Sequence, residues 1–106
     1  IPKLNDLLND DEPNIRWDSA IALAKMGEKT SIPIIENLMD RQYLMTFPEL
    51  DYKEIDKVIM TAIETSTLIV DSTFEPSLIE LAKNDQSLTV RDLAIKALKR
   101  SYDRTI

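Results

Sequence analysis

Residues 10–27 read DDEPNIRWDSAIALAKMG and residues 85–98 read DQSLTVRDLAIKAL, and the fold is decided by setting the two side by side. In each, an aspartate stands six residues ahead of an arginine (Asp10 and Arg16, Asp85 and Arg91), and the arginine follows a β-branched residue, Ile15 or Val90. An alanine-rich segment comes next, containing Ala22-Leu23 in one case and Ala97-Leu98 in the other. Counting 4, 7, 8 and 11 residues on from the β-branched residue selects Ser19, Ala22, Leu23 and Met26 after Ile15, and Ala94, Ala97, Leu98 and Ser101 after Val90. The same spacing from Ile55 selects Ile59, Ala62, Ile63 and Ser66. Each set lies on one face of an α-helix, and its small residues let a neighbouring helix approach closely. Three packed helix faces are therefore expected.

Proline and glycine punctuate the chain between these faces. Proline is tolerated in the first turn of a helix and expelled from its interior. Pro2, Pro13, Pro33 and Pro76 each precede a stretch with apolar spacing of three and four, and read as helix starts. The single glycine, Gly27, suits the left-handed position just past a helix end. Asp51-x-x-Glu54 and Ser72-x-x-Glu75 fit the capping box. These signals predict six helices, near residues 2–9, 13–26, 31–40, 51–67, 75–84 and 88–102. Thr67 to Phe74 contains Leu68, Ile69 and Val70 in a β-branched setting compatible with extended backbone, and is read as a helix end running into a connection.

Repetition extends beyond the two quoted stretches. Ile1-Pro2 returns as Ile32-Pro33, 31 residues on, with Leu4, Leu7 and Leu8 answered by Ile35, Leu38 and Met39; Leu78 and Leu81 follow Pro76 in a third unit. A helix pair repeating at this length is the signature of an α-solenoid. The chain resembles the HEAT-repeat family, in particular the short HEAT-like repeats of phycobilisome lyases and of many bacterial and archaeal scaffold proteins. Asp10, Ile15, Arg16, Ala22, Leu23 and Gly27 carry the resemblance in the first unit, and Asp85, Val90, Arg91, Ala94, Ala97 and Leu98 in the third. The second unit departs from it, with Asp56 where the arginine belongs and about nine extra residues between its helices.

The expectation is one all-α domain over residues 1–106, an α-solenoid of about three antiparallel helix pairs in a right-handed superhelix. Its units fall near 1–30, 31–70 with an insertion near 40–51, and 71–106. The resemblance further implies that Asp10, Arg16, Asp85 and Arg91 form a structural ladder between repeats, that the second helix of each unit lines a concave side, and that the chain can belong to a longer array.

Composition removes most catalytic chemistry. The 106 residues include no cysteine, no histidine and one glycine. Disulfides, thiolate nucleophiles, Cys-ligated zinc and the usual general base are excluded, and phosphate-cradling loops need more glycines. Asp10-Asp11-Glu12 lacks the spacing and glycine of a calcium loop. Among Glu49, Asp51, Glu54 and Asp56, two already have capping roles, so no acid–base pair is assigned. No catalytic, cofactor-binding or metal-ligating residue is named. No apolar run is long enough to span a membrane and the opening residues lack a signal-peptide core, which gives the expectation of a cytoplasmic chain. The net charge of −6 repels phosphate and argues against nucleic acid, although the five cations and two anions of residues 91–106 leave −9 on residues 1–90. Cations there also complement the C-terminal end of a last helix.

What remains is a protein that presents a surface to another protein. On the second helices, the outward stripe comprises Trp17, Ile21 and Ala24, then Lys57, Thr61 and Glu64, then Asp92, Lys96 and Lys99. Trp17 with Ile21 is a binding hot-spot candidate if exposed, and core if packed against the next unit. The insertion offers Tyr43, Met45 and Phe47, with Leu44 and Leu50, as an adaptable surface, or as a flap folded back over the core. The partner-binding candidates are Trp17, Ile21, Tyr43, Met45, Phe47, Lys57, Thr61 and Lys96. The expected function is a non-enzymatic interaction or scaffold module. A HEAT-like lyase subunit handling bilins, or a HEAT-like nucleic-acid-binding domain, are the alternatives the resemblance supplies.

Overall fold

The structure, a computed structural model, describes residues 7–9 and 11–105. Six α-helices and no strand occur among them: α1 Pro13–Lys25, α2 Ile32–Leu38, α3 Arg41–Leu44, α4 Tyr52–Ser66, α5 Phe74–Asn84 and α6 Leu88–Tyr102, with a 3-10 turn Lys29–Ser31 leading into α2. The helix expected near residues 2–9 lies almost wholly outside the described residues, as does Asp10. Five of the expected helices are present within two residues at each end; α3, inside the insertion, was not foreseen.

Local signals explain the boundaries. Pro13 opens α1 and Pro33 sits in the first turn of α2, where a missing N–H costs nothing. Gly27 takes φ 78° beyond α1, where its N–H donates to the Ala24 carbonyl and that of Glu28 to the Leu23 carbonyl, which closes the helix with two bonds to its orphan carbonyls. The Asp51 carboxylate accepts from the Glu54 N–H and the Glu54 carboxylate accepts from the Asp51 N–H, the expected capping box. The second expected box does not form. Ahead of α5 it is Asp71, rather than Ser72, whose carboxylate accepts from Thr73 N–H at 2.9 Å, while Glu75 turns to Arg104.

Helices α1, α4 and α6 pack against one another in a row, α2 lies on α1 and α4, and α5 lies on α6. The described residues span 39 × 31 × 15 Å. A thickness of 15 Å fits two helix layers, with axes roughly 10 Å apart and a Cα radius of about 2.3 Å on either side. One core runs through both, with Ile35, Leu38, Ile59, Ile63, Phe74, Leu78 and Leu98 all but fully buried. The expected faces of α4 and α6 are the ones buried, except that Ser101 is half-buried.

The expected face of α1 is wrong by about one residue, roughly 100° of helix. Of the expected residues Ser19 and Leu23 are buried and Ala22 is half-buried, but Ile15 and Met26 are exposed, and Trp17, Ala20 and Ala24 are buried in their place. Nearly every side of this helix is apolar, so spacing alone selects no stripe, and the large indole follows the available cover. That cover is the insertion: Phe47 meets Trp17 edge-to-face with ring centroids 5.2 Å apart, Tyr43 meets Phe47 in the same way, and Leu44 is fully buried.

The connection after α4 is tied down by Tyr102. Its hydroxyl donates to the Asp71 carbonyl at 2.6 Å and accepts from the Asp71 N–H at 3.2 Å. Burial pushes this phenol above its ordinary value of 10.0, an effect that the hydrogen bond to Asp71 opposes and the nearby Asp71 and Glu75 carboxylates reinforce. The folded chain thus holds the phenolic proton more tightly than the unfolded one. Its contribution is full below about pH 10 and is lost as pH rises through the folded value. Tyr102→Phe is expected to cost about 1 kcal/mol at neutral pH. Urea midpoints of the two proteins measured from pH 8 to 11 should converge at the alkaline end; a constant gap would show that the phenol does not titrate differently in the folded state.

Candidate functional site

Concavities open between the helices of the described surface. One, of about 520 Å³, lies between α1, α4 and α6 near their C-terminal halves. Its walls include Ile21 and Lys25 of α1, Thr61 and Glu64 of α4, and Leu93, Lys96 and Arg100 of α6, with Leu68 just beyond α4 on the rim. Ile21, Thr61 and Lys96, which line it together, occupy corresponding positions in the sequence, six residues after Ile15, Ile55 and Val90. Ile21 and Leu93 are half-buried and supply apolar wall, Leu68 is 56 % exposed, and the cations stand in solvent.

The groove gathers only part of the candidate set. Ile21, Thr61 and Lys96 line it, and Glu64 with them. Lys57 is exposed on α4 outside its walls. Trp17 is 7 % exposed, so the packed reading describes it and no indole surface is left to meet a partner. Tyr43 and Phe47 are half-buried in the aromatic contact with Trp17, so the insertion covers the core; Met45 alone of its candidates is well exposed, at 57 %.

The second concavity, about 650 Å³, lies between α2, α3 and α5 and is lined by Glu36, Asp40, Arg41, Glu80, Asn84 and Asp85 among others. Most of its charged groups already have partners among the described residues, Glu36 being the exception of those named. Arg41 donates from Nε to Asp85 Oδ1 and from Nη2 to Asp85 Oδ2, both at 2.9 Å, and from Nη2 to Asp56 Oδ1 at 2.6 Å. Asp85 also accepts from Ser87 N–H, Asp40 caps α3, and Glu80 accepts from Asn84. Hydrogen bonding by Asp85, foremost, raises the affinity of the Arg41 guanidinium for its proton, with burial opposing. Arg41 with Asp85 and Asp56 is a structural node.

That node bears on the expected ladder in its third unit. Asp85 pairs with Arg41 rather than Arg91, and Asp10 lies outside the described residues. Arg16 donates to the Asp11 carbonyl, while Nε of Arg91 is buried with no hydrogen-bond partner among the described residues. Arg41 was missed because it belongs to the insertion. The signal available for it was an imbalance: with Asp56 where an arginine belongs, the ladder positions Asp10, Arg16, Asp56, Asp85 and Arg91 hold three anions against two cations.

Among the described residues no group of three or more acidic side chains is arranged to hold a metal ion, and no helix is long and apolar enough to cross a membrane. Compared with known protein families, curated proteins and solved structures, the chain matches none.

Proposed function

We propose that this chain is a HEAT-like interaction module, an α-solenoid of about three helix pairs whose work is to hold another protein in the groove between α1, α4 and α6. The row α1–α4–α6 with α2 and α5 laid against it is what such an array requires. The observation that carries the functional reading is the convergence of Ile21, Thr61, Glu64 and Lys96, picked by repeat spacing alone, on one groove. Apolar wall with a charged rim is the composition of a protein-binding surface. Met45 is exposed on the insertion and lies outside the groove.

Thr61→Arg tests this by filling the groove from its centre. Affinity capture from the source lysate with wild type, Thr61→Arg and Glu80→Lys on the other concavity should yield a protein that Thr61→Arg reduces at least about tenfold and Glu80→Lys leaves alone. A partner indifferent to Thr61→Arg sinks the groove as the binding surface. The bilin-handling and nucleic-acid readings rest on the resemblance alone; they call for an absorbance change on bilin titration and for salt-dependent DNA binding, respectively.

A further inference from the structure

We infer that the groove between α1, α4 and α6 selects an acidic segment of its partner, one in which Asp or Glu residues flank an apolar anchor such as Leu, Ile or Phe. This deepens the proposed function and rests on the groove being the binding surface. The argument is charge placement. The chain carries −6 overall and −9 over residues 1–90, yet this groove brings Lys25, Lys96 and Arg100 together against one carboxylate, Glu64. Lys96 and Arg100 stand one turn apart on α6, and Lys25 faces them from the last turn of α1. Among the described residues neither Lys25 nor Arg100 has an ion-pair partner. Lys96 reaches Asp92 at 3.0 Å, but both side chains are largely exposed (72 % and 64 %), so water or a better placed carboxylate displaces that pair readily.

These cations also offset the partial negative charge of the helix C-termini around them. That effect is weak at exposed positions and fades within one turn, which leaves the ammonium and guanidinium groups able to bind a carboxylate as well. The same groove is lined by Ile21, Leu93 and the exposed Leu68, apolar surface that takes an apolar side chain but offers nothing to a sugar or phosphate. Glu64 in the same wall repels a continuous phosphate backbone, whereas a peptide can place its carboxylates beside the cations and its apolar residue opposite Glu64's neighbours Thr61 and Leu68. An acidic peptide therefore fits better than a nucleic acid.

The test pans short random peptides displayed on phage against the full chain. Enriched sequences should carry Asp or Glu beside Leu, Ile or Phe. Their synthetic versions should bind more weakly as NaCl rises, and lose at least about tenfold in affinity to the double variant Lys96→Glu with Arg100→Glu, while Lys83→Glu on α5 changes nothing. Circular dichroism confirms that each variant is folded. Basic or neutral consensus peptides, no enrichment, or an oligonucleotide that competes for the groove each overturn the inference. Binding that ignores the charge reversals yet is abolished by Thr61→Arg removes the acidic selectivity and leaves the groove reading standing. Binding that ignores all three changes removes both.

Discussion

Replacing Arg41 with alanine is expected to cost about 3–5 kcal/mol of folding stability, read as a large drop in the urea midpoint with unchanged slope. The physical cause is what the substitution leaves behind. The Asp85 side chain is 2 % exposed, and its two oxygens receive Nε and Nη2 of Arg41, itself 9 % exposed. Without the guanidinium a buried carboxylate keeps only the Ser87 N–H, which cannot compensate the loss of hydration. Arg41→Lys preserves the charge but not the two-pronged fork, so its loss should fall between wild type and alanine. Asp56→Asn serves as the internal comparison. Asp56 is 27 % exposed and retains solvent, so losing its charge should cost about 1 kcal/mol or less. A loss of under about 1 kcal/mol for Arg41→Ala would mean that the node contributes geometry without energy.

Trp17→Ala is the second large effect, expected at about 3–5 kcal/mol because it empties a buried aromatic site. A domain with the usual stability of roughly 5–15 kcal/mol loses a large share of it to either change. Trp17 is the only tryptophan, so its fluorescence in wild type reports its own environment and should be blue-shifted when folded and move to the red on unfolding. Phe47 supplies the check on mechanism. A double-mutant cycle between Trp17→Leu and Phe47→Leu should return a coupling of about 0.5–1.5 kcal/mol, the range for edge-to-face rings. If Trp17→Ala were nearly neutral in stability, the indole would be a surface group after all and a hot-spot candidate again. With the predicted loss, any binding defect of Trp17→Ala reports the fold and says nothing about a partner contact.

Much of the architecture was legible because helix signals are local. Pro13 and Pro33, Gly27 and the Asp51–Glu54 box act within one turn of themselves, and each does what its position dictates. The buried faces of α4 and α6 were legible for a related reason, since polar residues flank a narrow apolar stripe and leave one orientation that buries it. Helix α1 lacks that contrast, and its orientation was misread. The candidate site was half legible: repeat spacing found Ile21, Thr61 and Lys96, but placed Trp17 in the same stripe, where the rotation of α1 removes it.

The sequence by itself therefore determined the all-helical class, nearly all the helix boundaries and the repeat positions from which the groove is built. Only the tertiary structure decided which stripe of α1 is inside, and that Asp85 finds its cation 44 residues away, on the short helix α3. It alone also drew Lys25, Lys96 and Arg100 together on a chain whose net charge is −6. The division has one physical reason. Helix starts, stops and amphipathic stripes are set by interactions a few residues long, which a sequence displays directly. Ion pairs and shared surfaces depend on which helices lie side by side, and that is settled by burying the whole apolar area at once.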